Sequence, residues 1–414
     1  MTCSDIWERK QVTNKDEFRE AGFATRAIHS GQAPDPTTGA VIAPLYLSST
    51  YAQERVGDLR AGYDYGRAGH PTRTSLEATL ASLEGGASAH AFASGLAAED
   101  AVLRTIARPG DHIVIPVDAY GGTYRLISRV FGQWGVAASP AQTASLEAVE
   151  AAIVPGKTQA VWVETPSNPL LGISDIAALS ELAHAHGALL VVDNTFATPA
   201  LQNPLMSGAD VVVHSTTKYI AGHSDVIGGA VVVRDGATLP RGREGMAGSG
   251  SLSEELRFQQ LAVGGNQGPF DLYLTARGLK TLELRMERHC ASARTIADFL
   301  VAELGDAAVL YPGLDTHPHH EVATRQMSGF GGMVSFRAGS PERARRIVES
   351  TKVFTLAESL GGVESLIEYP YAMTHASVVG SALEVPADLV RVSVGIETVG
   401  DLLADLAQAL GSAG

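Results

Sequence analysis

Two rhythms of apolar and polar positions alternate along the chain between about residues 71 and 218. Five short runs are almost continuously apolar: "SAHAFASG", "DHIVIPVD", "QAVWVETP", "ALLVVDNT" and "ADVVVHST". Stretches with apolar residues three to four positions apart lie among them. "TRTSLEATLASLEG" is closed by Gly85 and Gly86, "LAAEDAVLRTIARPG" ends at Pro109-Gly110, and "SDIAALSELAHAHG" offers Ser174 as an N-cap. The first rhythm predicts strands buried on both faces and the second predicts amphipathic helices. Their alternation predicts an α/β fold with a mostly parallel sheet.

The flanks read differently. Residues 1 to about 65 are broken by Pro34, Pro36, Gly39 and Pro44 and show no sustained period, so they predict an arm with little core of its own. After about residue 270, "FDLYLTARGLKTLELRMERHCASARTIADFLVAELG" predicts one long linking helix. Beyond it, "GGMVSFRA", the helix "SPERARRIVES", short strands in "FTLAES", "SLIEYP" and "LVRVSVG", and a final helix "TVGDLLADLAQAL" predict a smaller α+β domain. The expected division is an arm over 1–65, an α/β domain over 66–270, and a linking helix with a C-terminal domain over 271–414. A chain of 414 residues exceeds what one core usually supports, which agrees with that division.

Composition narrows the function. The net charge of −14 argues against a nucleic-acid partner, which would need a basic face. No apolar run is long enough to span a membrane, and "MTCSDIWERKQVTNKDEFRE" lacks the apolar centre of a signal peptide. The two cysteines, Cys3 and Cys290, are too far apart in the chain to suggest a disulfide framework. A cytoplasmic protein is expected.

Three of the predicted strands end in chemistry, and in parallel α/β sheets ligands bind beyond the strands' carboxyl ends. "FASG" runs through Ser94 and Gly95 straight into a helix, where free N–H groups and the helix dipole suit a phosphate. "VVDNT" leaves Asp193 at the end of an apolar run, where a carboxylate is costly to bury without a cation. "HSTTK" places Ser215 and Thr217 before Lys218, giving hydroxyls for an anion and an amine able to form an imine with a carbonyl. An anion seat, a buried acid and an amine nucleophile together match the needs of pyridoxal 5'-phosphate, in its phosphate, its ring nitrogen and its aldehyde. The histidines in "HPHH" (His317, His319 and His320) lack an acidic or cysteine partner at ligand spacing and read as a polar loop, so no metal is expected.

The ordered set "YGRAGHPTRTSLE", "FASGLAAEDA", "DAYGGTYRL", "WVETPSNPL", "VVDNTFATP", "HSTTKYIAGHSDVIGG", "LAESLGGVESLIEYP", "MTHASV" and "LVRVSVGIE" resembles the Cys/Met-metabolism family of pyridoxal-phosphate enzymes, in its cystathionine γ-synthase and γ-lyase branch. The resemblance implies a pyridoxal-phosphate transferase fold and a role for each matching residue. Lys218 would be the Schiff-base lysine and proton shuttle, Asp193 the partner of the ring nitrogen, and Tyr120 the ring that stacks on the cofactor. Gly95, Leu96, Ser215 and Thr217 would hold the phosphate, and Asn168 would sit near the ring oxygen. Arg391 would clamp the substrate carboxylate with support from Ser359. Glu358 would attract the substrate's amino group. Tyr65 and Arg67 match a pair that reaches a neighbouring subunit's phosphate, which implies a homotetramer of dimers with shared sites.

The implied reaction is γ-elimination or γ-replacement on a small amino acid. Gly122 stands where methionine γ-lyases carry a cysteine, which argues against that branch. "YGGT", "SLGG" and "GHSD" argue against an aminotransferase. The chain departs from the family pattern at Gly66, His70 and Leu261, and "REGMAGSGSLSEELRF" reads as a long flexible loop. With His70 expected at the mouth of the pocket, these departures raise a second reading: a diverged γ-lyase acting on a non-standard γ-substituted amino acid, for example a halogenated one.

Overall fold

A computed structural model describes residues 16–375 and 384–413. Cys3 and the last three residues of "MTHASV" lie outside the described residues. The large sheet has seven strands: β1 (Ser88–Phe92), β2 (His112–Pro116), β3 (Ala137–Ala141), β4 (Thr158–Glu164), β5 (Leu189–Asp193), β6 (Val211–His214) and β7 (Gly229–Val233). Their spatial order is β1-β7-β6-β5-β4-β2-β3. The run from β6 to β3 is parallel throughout, while β7 pairs antiparallel with both β6 and β1. The pattern of short apolar runs is explained by burial: every residue of β2, β4, β6 and β7 is buried. Side chains from the two faces feed two separate apolar clusters, one around Val161, Val163, Leu190 and Val192, the other around Trp162, Val191, Val211 and Val213.

Two strands escape the sequence pattern. β3 reads "AASPA" and sits at the sheet edge beside β2. There Pro140 is tolerated and no apolar face is needed, so it carries little strand signal. β7 is apolar, but only its insertion between β1 and β6 makes it a strand of this sheet.

Three local expectations are corrected. The N-cap of the helix Ile176–Ala185 is Asp175, whose carboxylate accepts from the Ala178 amide at 3.1 Å, while Ser174 donates to Thr143 Oγ1 at 2.9 Å. The long linking helix is two helices, Pro269–Leu279 and Leu282–Leu304, with a break at Lys280 and Thr281. "REGMAGSGSLSEELRF" contains the start of the helix Leu252–Ala262, capped by Ser251. The buried carboxylate of Glu255 in that helix accepts from the Met246 and Ala247 amides at 2.8 and 2.7 Å, which ties the loop down.

The helix Leu282–Leu304 joins two cores. Leu282 and Met286 pack with the large sheet's apolar cluster, whereas Ala293, Ile296, Ala297 and Leu300 pack under a second sheet. That sheet contains β8 (Val309–Leu310), β9 (Met333–Arg337), β10 (Thr355–Leu356), β11 (Leu366–Glu368) and β12 (Leu389–Ser393), in the order β8-β9-β12-β11-β10. Its central strand β12 carries Arg391 toward the carboxyl ends of the large sheet. Among the described residues no helix is long and apolar enough to cross a membrane.

Candidate active site

A cavity of about 340 Å³ opens where the carboxyl ends of β5 and β6 meet the second sheet. Lys218, Asp193, Tyr120, Gly95, Leu96, Asn168, Ser215, Thr217, Glu358, Ser359 and Arg391 all border it, although they run from position 95 to position 391 of the chain.

Lys218 sits just past β6. Its Nζ donates to Ser359 Oγ at 2.7 Å. Burial above all, then the nearby Arg391 charge, lowers the amine from 10.5 to about 8, against the opposing pull of Glu368 and Glu358. Ser359 reaches it from a left-handed backbone conformation, φ 87°, which a serine adopts only when its surroundings enforce it. The neighbouring carbonyl contact supplies part of that enforcement, since Arg391 Nη2 donates to the Ser359 oxygen at 2.9 Å.

Arg391 is 2% exposed and held on three sides. Its Nη1 donates to Asn168 Oδ1 at 2.8 Å and pairs with Glu368 Oε1 at 3.0 Å. The ion pair follows from sheet register, because Glu368 of β11 lies directly opposite Arg391 of β12. Burial raises the Glu368 carboxyl while Arg391 pulls it back down. Glu368 is absent from the sequence reading, since only the register places it there.

Asp193 ends β5. Its Oδ1 accepts from the Thr195 amide at 2.9 Å, and no basic side chain among the described residues forms an ion pair with it. Burial raises its carboxyl, opposed by hydrogen bonds from Thr195 and the charge of His214. Behind it, His214 Nε2 and Glu84 Oε1 meet at 2.6 Å with both side chains fully buried. Two further acids belong to this wall. Glu164 accepts the Tyr120 amide through both oxygens, at 2.8 and 3.0 Å, and so fixes where the tyrosine ring begins. Glu99 accepts from Thr123 Oγ1 at 3.1 Å.

The opposite end of the cavity is an anion seat. Ser94 caps the helix Gly95–Ile106 by accepting from the Ala97 amide at 3.0 Å, which leaves the Gly95 and Leu96 amides without intrahelical acceptors. A Cβ on Gly95 would stand 3.0 Å from Ser215 Cβ, so glycine at residue 95 lets the two segments approach without crowding. Thr217 Oγ1 is engaged with Gly228, donating to its carbonyl at 3.2 Å and accepting its amide at 3.0 Å.

Tyr65 and Arg67 border a different cavity, of about 280 Å³, together with Gly66, His70 and Arg73. The Arg67 guanidinium lies 5.4 Å from the Tyr65 ring centre and donates to the carbonyl of Leu261. Within one chain His70 lines this cavity and not the Lys218 cavity. It is 5% exposed and precedes the helix Pro71–Glu84, where its carbonyl accepts from the Thr74 amide at 2.9 Å. Among the described residues no group of three or more histidine, cysteine or acidic side chains is placed to hold a metal ion.

A family model described as "Cys/Met metabolism PLP-dependent enzyme" matches residues 24–411. The chain belongs to this family of pyridoxal-phosphate enzymes. It is 59% identical over 392 residues to cystathionine γ-synthase of Mycobacterium bovis, covering 94% of this chain and 97% of that one. It is 47% identical over 389 residues to cystathionine γ-lyase of Bacillus subtilis, covering 93% and 98%. The crystal structure of metB from Corynebacterium glutamicum superimposes with a TM-score of 0.91 at 53% identity, covering 96% of this chain and all of that one. As a member of the Cys/Met metabolism PLP-dependent family, this chain is an enzyme of the cystathionine γ-synthase and γ-lyase type. The halogenated-substrate reading finds no support among these relatives.

The residues present fit the family's cofactor. Asp193 is an acid with no ion-pair partner among the described residues. A Cβ on residue 95 would crowd Ser215 at the anion seat, and burial lowers the amine of Lys218 to about 8. Pyridoxal phosphate presents a ring N–H, a phosphate and an aldehyde to those three features in turn.

Proposed function

We propose that this enzyme catalyses γ-replacement on an L-amino acid bearing a Cγ leaving group, with γ-elimination as the outcome when no thiol is present. The observation that carries this reading is the cavity that holds Lys218, Asp193 and Arg391 together; the 59% identity to a cystathionine γ-synthase supports the replacement direction. When bound, pyridoxal phosphate supplies an electron sink for negative charge developing at the substrate's Cα. An amine near 8 is close to the operating pH, so Lys218 can take and return protons at Cα and Cβ. Asp193 would keep a proton on the ring nitrogen. Tyr120 would stack on the ring, held in place by Glu164. The Gly95 and Leu96 amides, with Ser215 and Thr217, would hold the phosphate, and Asn168 would neighbour the ring oxygen. Arg391 would bind the substrate carboxylate, with Ser359 supporting both that pocket and the lysine. Glu358, exposed at the rim, would attract the substrate's ammonium group.

The same reading assigns Tyr65 and Arg67 to a neighbouring subunit's phosphate, within a homotetramer of dimers. Exposed apolar side chains at Val41, Leu47 and Val56 of the arm, and at Ile227 and Phe270, support a covered surface there. It also treats 1–65, 66–270 and 271–414 as arm, cofactor domain and C-terminal domain, in a cytoplasmic protein. Product analysis by mass spectrometry with O-succinylhomoserine, with and without cysteine, tests the reaction. A thioether formed only with cysteine supports replacement, and a 2-oxo acid in both arms would establish a lyase instead.

A further inference from the structure

Arg285 has no task in the reading above, and its setting is unfavourable for a cation. It lies in the first turn of the helix Leu282–Leu304, where the helix dipole disfavours positive charge, and it is 5% exposed. Its Nε donates to Thr281 Oγ1 at 3.2 Å, its Nη1 to the Tyr219 carbonyl at 2.6 Å, and its Nη2 to the carbonyls of Ile220 and Gly278 at 3.2 and 2.8 Å. Every one of these acceptors is uncharged. Two of them belong to the residues directly after Lys218, and a third ends the helix Pro269–Leu279. Lys218 leaves β6 on a tight turn, in which the amides of Lys218, Ala221 and Gly222 donate to the carbonyls of Ser215, Thr216 and Lys218 at 3.2, 3.0 and 2.8 Å. A Cβ on Gly222 would stand 2.1 Å from Arg285 Nη1, and one on Gly278 would stand 2.1 Å from the Ala221 oxygen, so guanidinium and helix end both press on that turn. Residues 359–363 hold it from the other side. The Val363 amide donates to the Gly222 carbonyl at 3.0 Å, and the same segment supplies Ser359, the acceptor of Lys218 Nζ.

We propose that Arg285 is a positioning residue for Lys218: by gripping the Tyr219 and Ile220 carbonyls and tying them to the end of the helix Pro269–Leu279, it fixes the backbone from which Nζ reaches Ser359. A lysine stem is flexible, and proton transfer is sensitive to small misplacements, so the backbone that carries the amine must itself be held. The inference rests on the reading of Lys218 as the residue that carries the cofactor and moves the protons.

The test uses the holoenzymes of Arg285→Met, Arg285→Lys, Thr281→Val and Lys218→Ala. It measures steady-state kinetics with O-succinylhomoserine and cysteine, the visible absorbance of bound pyridoxal phosphate, and amide hydrogen exchange by mass spectrometry of the peptide spanning 215–222. In Arg285→Met, kcat should fall about tenfold while KM stays within about twofold and the cofactor absorbance remains. Exchange in 215–222 should quicken about tenfold, with β4 and β5 as protected as in the parent. Arg285→Lys keeps a cation and donors without the planar fork, and should lie between the parent and Arg285→Met in both kcat and exchange. Thr281→Val removes the acceptor of Nε while leaving Arg285 in place, and should shift both in the same direction by less. An unmoved kcat in Arg285→Met would overturn the proposal, and so would a loss carried by KM. Exchange quickened equally in β4 and β5 would mark Arg285 as a general stabiliser and overturn it too. If Arg285→Met does not fold, unmoved kcat and exchange in both Arg285→Lys and Thr281→Val would overturn it. Lys218→Ala separates the two ideas: if it keeps the parent's absorbance and turnover, the Lys218 reading itself fails, whatever Arg285 does.

Discussion

Replacing Lys218 with methionine should abolish the chemistry and stabilise the cofactor-free protein. The folded state lowers this amine from 10.5 to about 8, chiefly by burial. Below pH 8 the lysine is charged in both the folded and the unfolded chain, and the folded state bears the whole cost of holding that charge. At about 1.4 kcal/mol per pH unit this amounts to about 3 kcal/mol, an upper bound because the amine borders an open cavity. Between pH 8 and 10.5 the unfolded chain binds a proton that the folded chain has released, so parent stability rises with pH, and above 10.5 the cost is gone. Methionine has similar length and no charge, but it forfeits the 2.7 Å hydrogen bond to Ser359, worth about 1 kcal/mol. Lys218→Met should therefore be more stable than the parent by about 2 kcal/mol at pH 7 and less stable by about 1 kcal/mol above pH 10.5. Urea unfolding of both cofactor-free proteins at a series of pH values, with equal slopes, measures the difference. A variant less stable than the parent at pH 7, or a difference that does not shrink between pH 8 and 10.5, would refute the account of Lys218 as an amine stripped of solvent.

Three other perturbations test the surrounding geometry. Glu368→Leu leaves Arg391 buried without its counter-charge, since the two side chains are 1% and 3% exposed, and should lower stability by about 3–5 kcal/mol in denaturant unfolding. Gly95→Ala inserts a methyl group 3.0 Å from Ser215 and should weaken pyridoxal-phosphate affinity about tenfold by equilibrium dialysis, with an unchanged circular dichroism spectrum. Gly122→Ala would drive a methyl group against the Cε1 edge of the Tyr120 ring. Displacing that ring by about 1 Å should reduce kcat/KM about hundredfold while the cofactor stays bound, and steady-state kinetics beside an absorbance spectrum would show it.

The chain's own pattern determined a good deal. Continuous apolar runs are legible because parallel strands are buried on both faces, and β2, β4, β5 and β6 all announce themselves in that way. The chemistry at their ends is legible for the same reason: Asp193 and Lys218 interrupt apolar segments where a polar residue needs a purpose. What the tertiary structure alone decided is which distant groups meet. The strand β3 is silent because an edge makes few demands on its residues, and the break of the linking helix at Lys280 and Thr281 shows only in the folded chain. Glu368 becomes Arg391's partner only through the register of β11 on β12, and Glu99 and Glu164 become part of the pocket only when their elements converge on Asp193. A side chain's type and spacing can be read along one dimension. Its charge state, its partner and therefore its role depend on burial and on neighbours far away in the chain, and those exist only once the sheet has assembled.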